Sequence, residues 1–162
     1  QSFKVNLTKQ EKRSIGKHSI PRPEIDIVAY KPSEDILIAY EAKSYLDNPG
    51  VRVADLEQSF EIPEGRYKLF TCDNYRNIVF GRLKSDLLEL GMATPTTNIV
   101  LGLAIGNIYQ SKIDEMADLM NKKGFYFLSP ADIRQKVSEL ANKAYENEPS
   151  ILTAKILLRD YR

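Results

Sequence analysis

Four charged residues interrupt two otherwise apolar segments of the sequence: Glu24, Asp26, Glu41 and Lys43. A charged side chain inside an apolar strand costs free energy unless it is paired or binds an ion. Two carboxylates and a backbone carbonyl are oxygen ligands that suit Mg²⁺, and a neighbouring lysine can orient or deprotonate a bound water. The residue types therefore indicate metal-assisted chemistry on a phosphate group.

These residues lie in two segments that predict a β-hairpin. Residues 24–30 and 36–45 are rich in β-branched and aromatic side chains, and the turn formers of residues 31–35 separate them. Alternation along the first segment points its side chains to two opposite faces. One face carries Ile25, Ile27 and Ala29, and the other carries Glu24, Asp26 and Val28.

The second strand of the hairpin places its charged residues on one face. Glu41 and Lys43 are two positions apart and therefore project together, and Ala42 between them leaves the backbone accessible. When the hairpin folds, Asp26 and this pair can converge on one point. The expected ligands of Mg²⁺ are Asp26, Glu41 and the backbone carbonyl of Ala42. Lys43 is the expected catalytic cation.

The rest of the sequence predicts alternating helices and strands. Apolar residues follow helical spacing over 74–90, where Gly91 suits the helix end, and a near-continuous apolar run covers 98–105. Ser111 with Asp114 predicts a capping box at the start of a further helix.

A second capping box is expected at Ser129 and Asp132, before a helix whose predicted buried stripe contains Ile133, Val137, Leu140 and Ala144. Gly124 is expected to end the preceding helix. Shorter elements are expected as helices over 8–17, 53–60 and 151–158 and as strands over 67–71 and 125–128. The order of elements predicts an α/β fold whose later strands run parallel through helical crossovers.

Composition sets wider limits on the class of protein. The 162 residues fit a single domain spanning 1–162, and the net charge of +1 neither supports nor excludes a nucleic-acid partner. Cys72 and His18 are the only residues of their types, which excludes an internal disulfide and a multi-thiolate zinc site. The sequence has no apolar run of about 20 residues, so no membrane partner is expected. We expect a cytoplasmic location. Because the sequence begins at Gln1, we expect that a further domain or subunit belongs to it.

Residues 24–29 followed by residues 40–44 resemble the signature of the PD-(D/E)XK nuclease superfamily. That superfamily includes restriction endonucleases, archaeal Holliday-junction resolvases and related repair and mobile-element nucleases. Carried over by position, Asp26 matches the first carboxylate of the motif, Glu41 the second and Lys43 the lysine. The proline of the motif precedes Glu24 rather than Asp26, which leaves Glu24 as the alternative first carboxylate.

The resemblance implies a restriction-endonuclease-like core: a mixed sheet whose β-hairpin carries the active site, flanked by helices. It implies a DNA endonuclease of the restriction, defence, repair or mobile-element type, dependent on Mg²⁺, for which Mn²⁺ can substitute. Double-strand cleavage would require a homodimer. Many members add a glutamate on a helix before the hairpin, for which Glu11 is the candidate. Some add a polar residue after the lysine, for which Gln58 is the candidate.

Two other classes of protein are consistent with the same residues. One is a non-catalytic nucleic-acid-binding or assembly module that keeps the nuclease fold, and the other is an α/β interaction domain with accidental motif residues. In the second case Glu41 and Lys43 would form a solvated pair on an open sheet face. Arg66 and Lys68 are interpreted as solvated, and Tyr75 as a core residue. The geometry of Asp26 and Glu41 discriminates between a shared site and an accidental motif.

Overall fold

A computed structural model describes residues 2–158 of the chain, and the order of its elements begins with a strand, a helix and a strand. The elements are β1 (Phe3–Lys4), α1 (Lys9–Ser14), β2 (Glu24–Ile25), β3 (Ile27–Lys31), β4 (Ile36–Lys43), α2 (Val53–Glu57), α3 (Lys68–Thr71), α4 (Asp73–Glu89), β5 (Asn98–Ile105), α5 (Ile113–Lys122), β6 (Tyr126–Leu128), α6 (Pro130–Asn142) and α7 (Pro149–Leu158). None of the described helices is long and apolar enough to cross a membrane.

A mixed sheet of four strands, in the order β3-β4-β5-β6, forms the centre of the described chain. Strands β3 and β4 pair antiparallel as the predicted hairpin, while β4 pairs with β5, and β5 with β6, in parallel. Parallel neighbours require crossover connections, which α4 and α5 provide. The predicted α/β class and the parallel later strands are confirmed. Strands β1 and β2 form a separate antiparallel pair.

The turn of the hairpin is attached to the loop that precedes β5. Asp35 has a left-handed φ of 50°, which aspartate tolerates better than most residues. Its carboxylate accepts hydrogen bonds from the hydroxyl groups of Tyr30, Thr94, Thr96 and Thr97 at 2.6–3.1 Å. These bonds, led by those from Thr97 and Thr96, lower the pKa of Asp35 to about 2. The carboxylate therefore joins the hairpin to the start of β5.

One face of the sheet packs against α4. Leu37 and Ala39 on β4 are buried, as are Leu101 and Leu103 on β5. The helix contributes Tyr75, Val79, Leu83 and Leu87, all fully or almost fully buried. Burying a large apolar side chain contributes roughly 1.5–3 kcal/mol, so the packing of this layer stabilises the fold substantially. The helix ends at Glu89, and Gly91 follows with φ 67°, which confirms the predicted helix and its end.

Some predicted local features are wrong. Residues 67–71 do not form a strand, because Lys68–Thr71 makes a short helix directly before α4. Ser111 does not cap α5, since its φ of 54° is left-handed whereas a helix-capping residue is extended. The second predicted capping box, at Ser129, is confirmed, with Asp132 reciprocating.

The predicted buried stripe of α6 is also partly wrong. Val137 is 37% exposed, and Ala144 lies beyond the helix end and is exposed. Ala141 is the buried residue of this helix, because α6 packs against α7, which buries Ile151 and Ala154. The packed face is therefore rotated from the expected one.

The segment that follows β4 is held against the end of β5. The amide of Gly106 donates to the carbonyl of Lys43 at 2.8 Å, and a Cβ atom at Gly106 would collide with the carbonyl of Ser44. Val51 donates its amide to Asn107 O at 3.1 Å and accepts from the amide of Tyr109 at 2.9 Å. Both ends of the loop between β4 and α2 are therefore fixed by backbone hydrogen bonds.

Candidate active site

Glu41 and Lys43 occupy the end of β4, on the face that packs against α4. The alternation along this strand continues from the buried Leu37 and Ala39, so the two charged side chains extend the core face rather than the opposite one. Lys43 Nζ lies 2.9 Å from Glu41 Oε2, and their side chains are 18% and 12% exposed. The pair is therefore largely shielded from water and is not a solvated pair on an open sheet face.

Asp26 lies at a bend between β2 and β3. The antiparallel pairing of the hairpin ends at Ile27 and Tyr40, so the next amide on this edge of β4, that of Ala42, lacks a strand partner. The carboxylate of Asp26 takes that place, with Oδ2 accepting from Ala42 N at 2.7 Å. The bend also corrects the expected alternation, because Ile25 is fully buried whereas Ile27 is 47% exposed.

The carbonyl of Ala42 faces the same edge as the Asp26 carboxylate. In a strand, the N–H and C=O of one residue point to the same side, and the N–H of Ala42 points to Asp26. The flanking residue Lys43 uses its carbonyl on the opposite side, toward Gly106 of β5. The backbone thus places the expected third oxygen ligand beside the expected first one.

The electrostatic environment of Glu41 is set by burial and by charged neighbours. Burial raises its pKa above the ordinary value of 4.5, the hydrogen bond and charge of Lys43 oppose that rise, and the negative charge of Asp26 adds to it. Within residues 2–158, the hydrogen bonds of the two carboxylates use only Asp26 Oδ2 and Glu41 Oε2. The remaining oxygens and the Ala42 carbonyl are hard donors, so the residues fit Mg²⁺ or Mn²⁺ chemically.

A cleft of about 150 Å³ opens beside Glu41. Acidic and basic residues line it together: Arg22, Glu24, Glu41, Arg66 and Lys68. Lys68 is only partly exposed, its Nζ lies 5.3 Å from the centre of the Tyr75 ring, and burial together with the charge of Lys17 lowers its pKa. A lysine in this environment favours an anion as its neighbour.

The sequence does not indicate that these basic residues meet at the cleft. Arg66 is exposed, in agreement with its interpretation as a solvated residue, whereas Lys68 is partly buried. Both line the cleft, and Arg22 joins them from the segment before β2. Tyr75 is buried in the core as expected, but it also closes the cleft. The spacing of these residues along the chain carries no signal of the cluster, because three separate segments contribute to it.

Glu24, the alternative first carboxylate, lies on β2 opposite Lys4 of β1 and reaches the cleft. It shares the cleft lining with Glu41, whereas Asp26 contacts the backbone between Glu41 and Lys43. Asp26 is therefore the carboxylate joined directly to β4, and Glu24 faces the same site from the other side of the bend.

Glu11 and Gln58, the two additional candidate residues of the motif, do not contact Glu41 or Lys43. Glu11 accepts from the amide of Thr8 at 2.7 Å, as part of a capping box on α1, and its carboxylate pairs with Arg82 at 3.0 Å. These contacts give Glu11 a structural role in holding α1 against α4. Gln58, at the end of α2, is exposed and lines a second cavity of about 500 Å³.

Among the described residues, no group of three or more histidine, cysteine, aspartate or glutamate side chains is arranged to hold a metal ion. The expected ligand set has two carboxylates and a carbonyl, and Glu24 does not complete a cluster of three. No family model, curated protein or solved structure matches this chain. Membership of the PD-(D/E)XK superfamily therefore stays a prediction.

Proposed function

We propose that this chain is a divalent-metal-dependent DNA endonuclease with a restriction-endonuclease-like core, which hydrolyses phosphodiester bonds. One observation supports the proposal most strongly: Asp26 binds the backbone amide that lies between Glu41 and Lys43, so three charged groups meet at the end of β4. A restriction, defence or mobile-element role follows from the resemblance of the motif.

Each residue of this group has a distinct part in the proposed reaction. Asp26, Glu41 and the Ala42 carbonyl would hold the metal ion, which when bound supplies Lewis-acid activation of the phosphate and of a water. Lys43 would orient the attacking water or stabilise the negative charge that develops on the phosphate. Its 2.9 Å contact with Glu41 keeps the ammonium group at that position.

The surroundings of the pair support this assignment. Tyr75 and Leu69 provide apolar walls beside Glu41, which limit access of bulk water. Electrostatic interactions are stronger where water is excluded, so a cation and a phosphate would both be bound more tightly there. The raised pKa of Glu41 has the same origin, and a neighbouring dication would lower it again.

The test is nicking of supercoiled plasmid with Mg²⁺ or Mn²⁺ by the wild type, Glu41→Gln and Lys43→Met. We expect both variants to lose about 100-fold or more of the rate, the range found for positioned acid–base groups. The matched control is Lys31→Met, because Lys31 lies on the same hairpin and pairs with Glu34 at an exposed site. Lys31→Met should cleave like the wild type.

Calorimetric titration with Mn²⁺ separates metal binding from catalysis. Glu41→Gln should weaken binding, whereas Lys43→Met should retain it, since the lysine is not an expected ligand. If the wild type neither cleaves nor binds a divalent metal, the endonuclease proposal fails and the non-catalytic module replaces it.

A further inference from the structure

The cavity of about 500 Å³ lies next to the cleft that contains Glu41, and Arg66 lines both of them. We propose that the cavity binds the base of an unpaired nucleotide while the cleft receives the phosphate attached to it. The inference rests on the proposed nuclease function and specifies its substrate: DNA with an unpaired nucleotide at the cleaved bond.

One side of the cavity is formed by residues close to the candidate active site, and one of them, Arg66, also lines the cleft. Tyr45 follows Lys43 by two positions and has a left-handed φ of 40°, which turns the chain away from the sheet direction. Its hydroxyl accepts from Arg66 Nη1 at 2.6 Å and lies 3.4 Å from the hydroxyl of Tyr67. A ligand in the cavity would therefore contact Tyr45, which is two residues away from the proposed catalytic lysine, Lys43.

The charged side chains of the two spaces suit the two parts of a nucleotide. In the cavity, Arg52 and Arg66 are balanced by Asp55 and Glu64, so the lining is formally neutral. With Arg66 counted there, the smaller cleft holds Arg22 and Lys68 against two carboxylates and is balanced as well. A neutral heterocycle is suited to the first space, and the cationic groups of the second, together with Arg66 at the boundary, can pair with a phosphate.

The chemistry of the cavity lining also favours a base. Tyr45, Phe60 and Tyr67 supply aromatic surface on which a base can stack, and stacking is tolerant of base identity. Asp55 and Glu64 can accept hydrogen bonds from exocyclic amino groups, and Arg52 can donate to carbonyl oxygens. A base inside a duplex is stacked and paired, so it must leave the helix before it can enter.

Binding is measured by fluorescence anisotropy on the whole chain without divalent metal, where metal-dependent cleavage cannot occur. The probes are a labelled thymidine strand, the same strand with abasic sites, and a blunt duplex of equal length. We expect the thymidine strand to bind about tenfold more tightly than the abasic strand, as one stacked base would produce.

Glu64→Trp fills the cavity from an exposed position, and Glu61→Trp is the matched control, since Glu61 is exposed in the same loop and does not line the cavity. Glu64→Trp should abolish the preference for the thymidine strand, and Glu61→Trp should preserve it. Equal binding of thymidine and abasic strands by the wild type would overturn the inference whatever the variants do.

The two proposals fail in different ways. Base-dependent binding without metal-dependent cleavage would refute the endonuclease and leave the nucleotide site. Cleavage of a blunt duplex as fast as of a strand with an unpaired end, with no effect of Glu64→Trp, would refute the nucleotide site and leave the endonuclease. As a readout in the unmodified protein, 2-aminopurine placed at the unpaired position should be quenched on binding.

Discussion

The contact between Glu41 and Lys43 makes a prediction about stability that does not depend on any activity. The Glu41 and Lys43 side chains are 12% and 18% exposed, so the stability that this ion pair contributes should lie between that of an exposed pair and that of a fully buried pair. Exposed pairs contribute about 0–1 kcal/mol, and breaking a fully buried pair costs about 3–5 kcal/mol. We therefore expect a coupling free energy of about 1–2 kcal/mol between the two side chains.

The perturbations are Lys43→Met, Glu41→Gln and the double variant. Lys43→Met leaves a shielded carboxylate without its cation and should destabilise the protein by about 2 kcal/mol. Glu41→Gln removes a carboxylate whose burial is unfavourable, although it leaves Lys43 without its ion pair, and should change stability less. The double variant should be more stable than the sum of the single effects indicates.

The pH dependence has a definite sign. Because the folded-state pKa of Glu41 is raised, protonation is favoured in the folded state, and the contribution of Glu41 to stability falls as pH rises from 4.5 through the raised value. Lys43 opposes this rise, so Lys43→Met raises the pKa further. The destabilisation by Lys43→Met should therefore be larger near neutral pH than below pH 4.5.

The assay is urea unfolding of the four proteins at a pH near neutrality and again in acid, with far-ultraviolet circular dichroism as the signal. A coupling free energy below about 0.5 kcal/mol, unchanged between the two pH values, would mean that the pair is solvated. The inference that the end of β4 is shielded from water would then be refuted.

Three further predictions concern the scaffold. Asp35→Asn should remove stability that is present above pH 3.8 and lost as pH falls toward about 2, so urea unfolding of the variant should vary less over that range. Gly102→Ala should cost about 1–3 kcal/mol, since its Cβ would lie 2.5 Å from the Tyr40 ring, whereas Gly81→Ala, on an open helix face, should stabilise by about 0.5–1 kcal/mol in the same measurement. Ser129→Ala should lower the free energy of unfolding by about 1 kcal/mol through loss of the cap on α6, and no change would contradict the capping role.

The parts of the fold that could be predicted from the sequence depend on local signals. The hairpin of β3 and β4 follows from two β-rich segments around turn formers, and the buried strand β5 follows from its apolar run. The spacing of Glu41 and Lys43 places them on one face of any strand. These features need only residues that are close in the sequence.

The parts that could not be predicted depend on distant partners. The bend at Asp26 occurs because Glu24 and Ile25 pair with β1, about 20 residues earlier, and leave the edge of β4. The cleft needs Arg22, from the segment before β2, and Lys68, from α3, and both approach Glu41 only in the folded chain. No local pattern specifies that approach, so the sequence predicts a solvated Lys68 and assigns no role to Arg22.

The loop between β4 and α2 has a consequence for the thermodynamics of binding. Gly106 admits the carbonyl of Ser44 where any larger residue would collide with it, and the hydrogen bonds of Val51 fix the other end. A loop already held in one conformation loses little conformational entropy when a ligand arrives. Ligands that contact Tyr45 should therefore bind with a small entropic penalty, and any residue larger than glycine at position 106 should make that penalty larger.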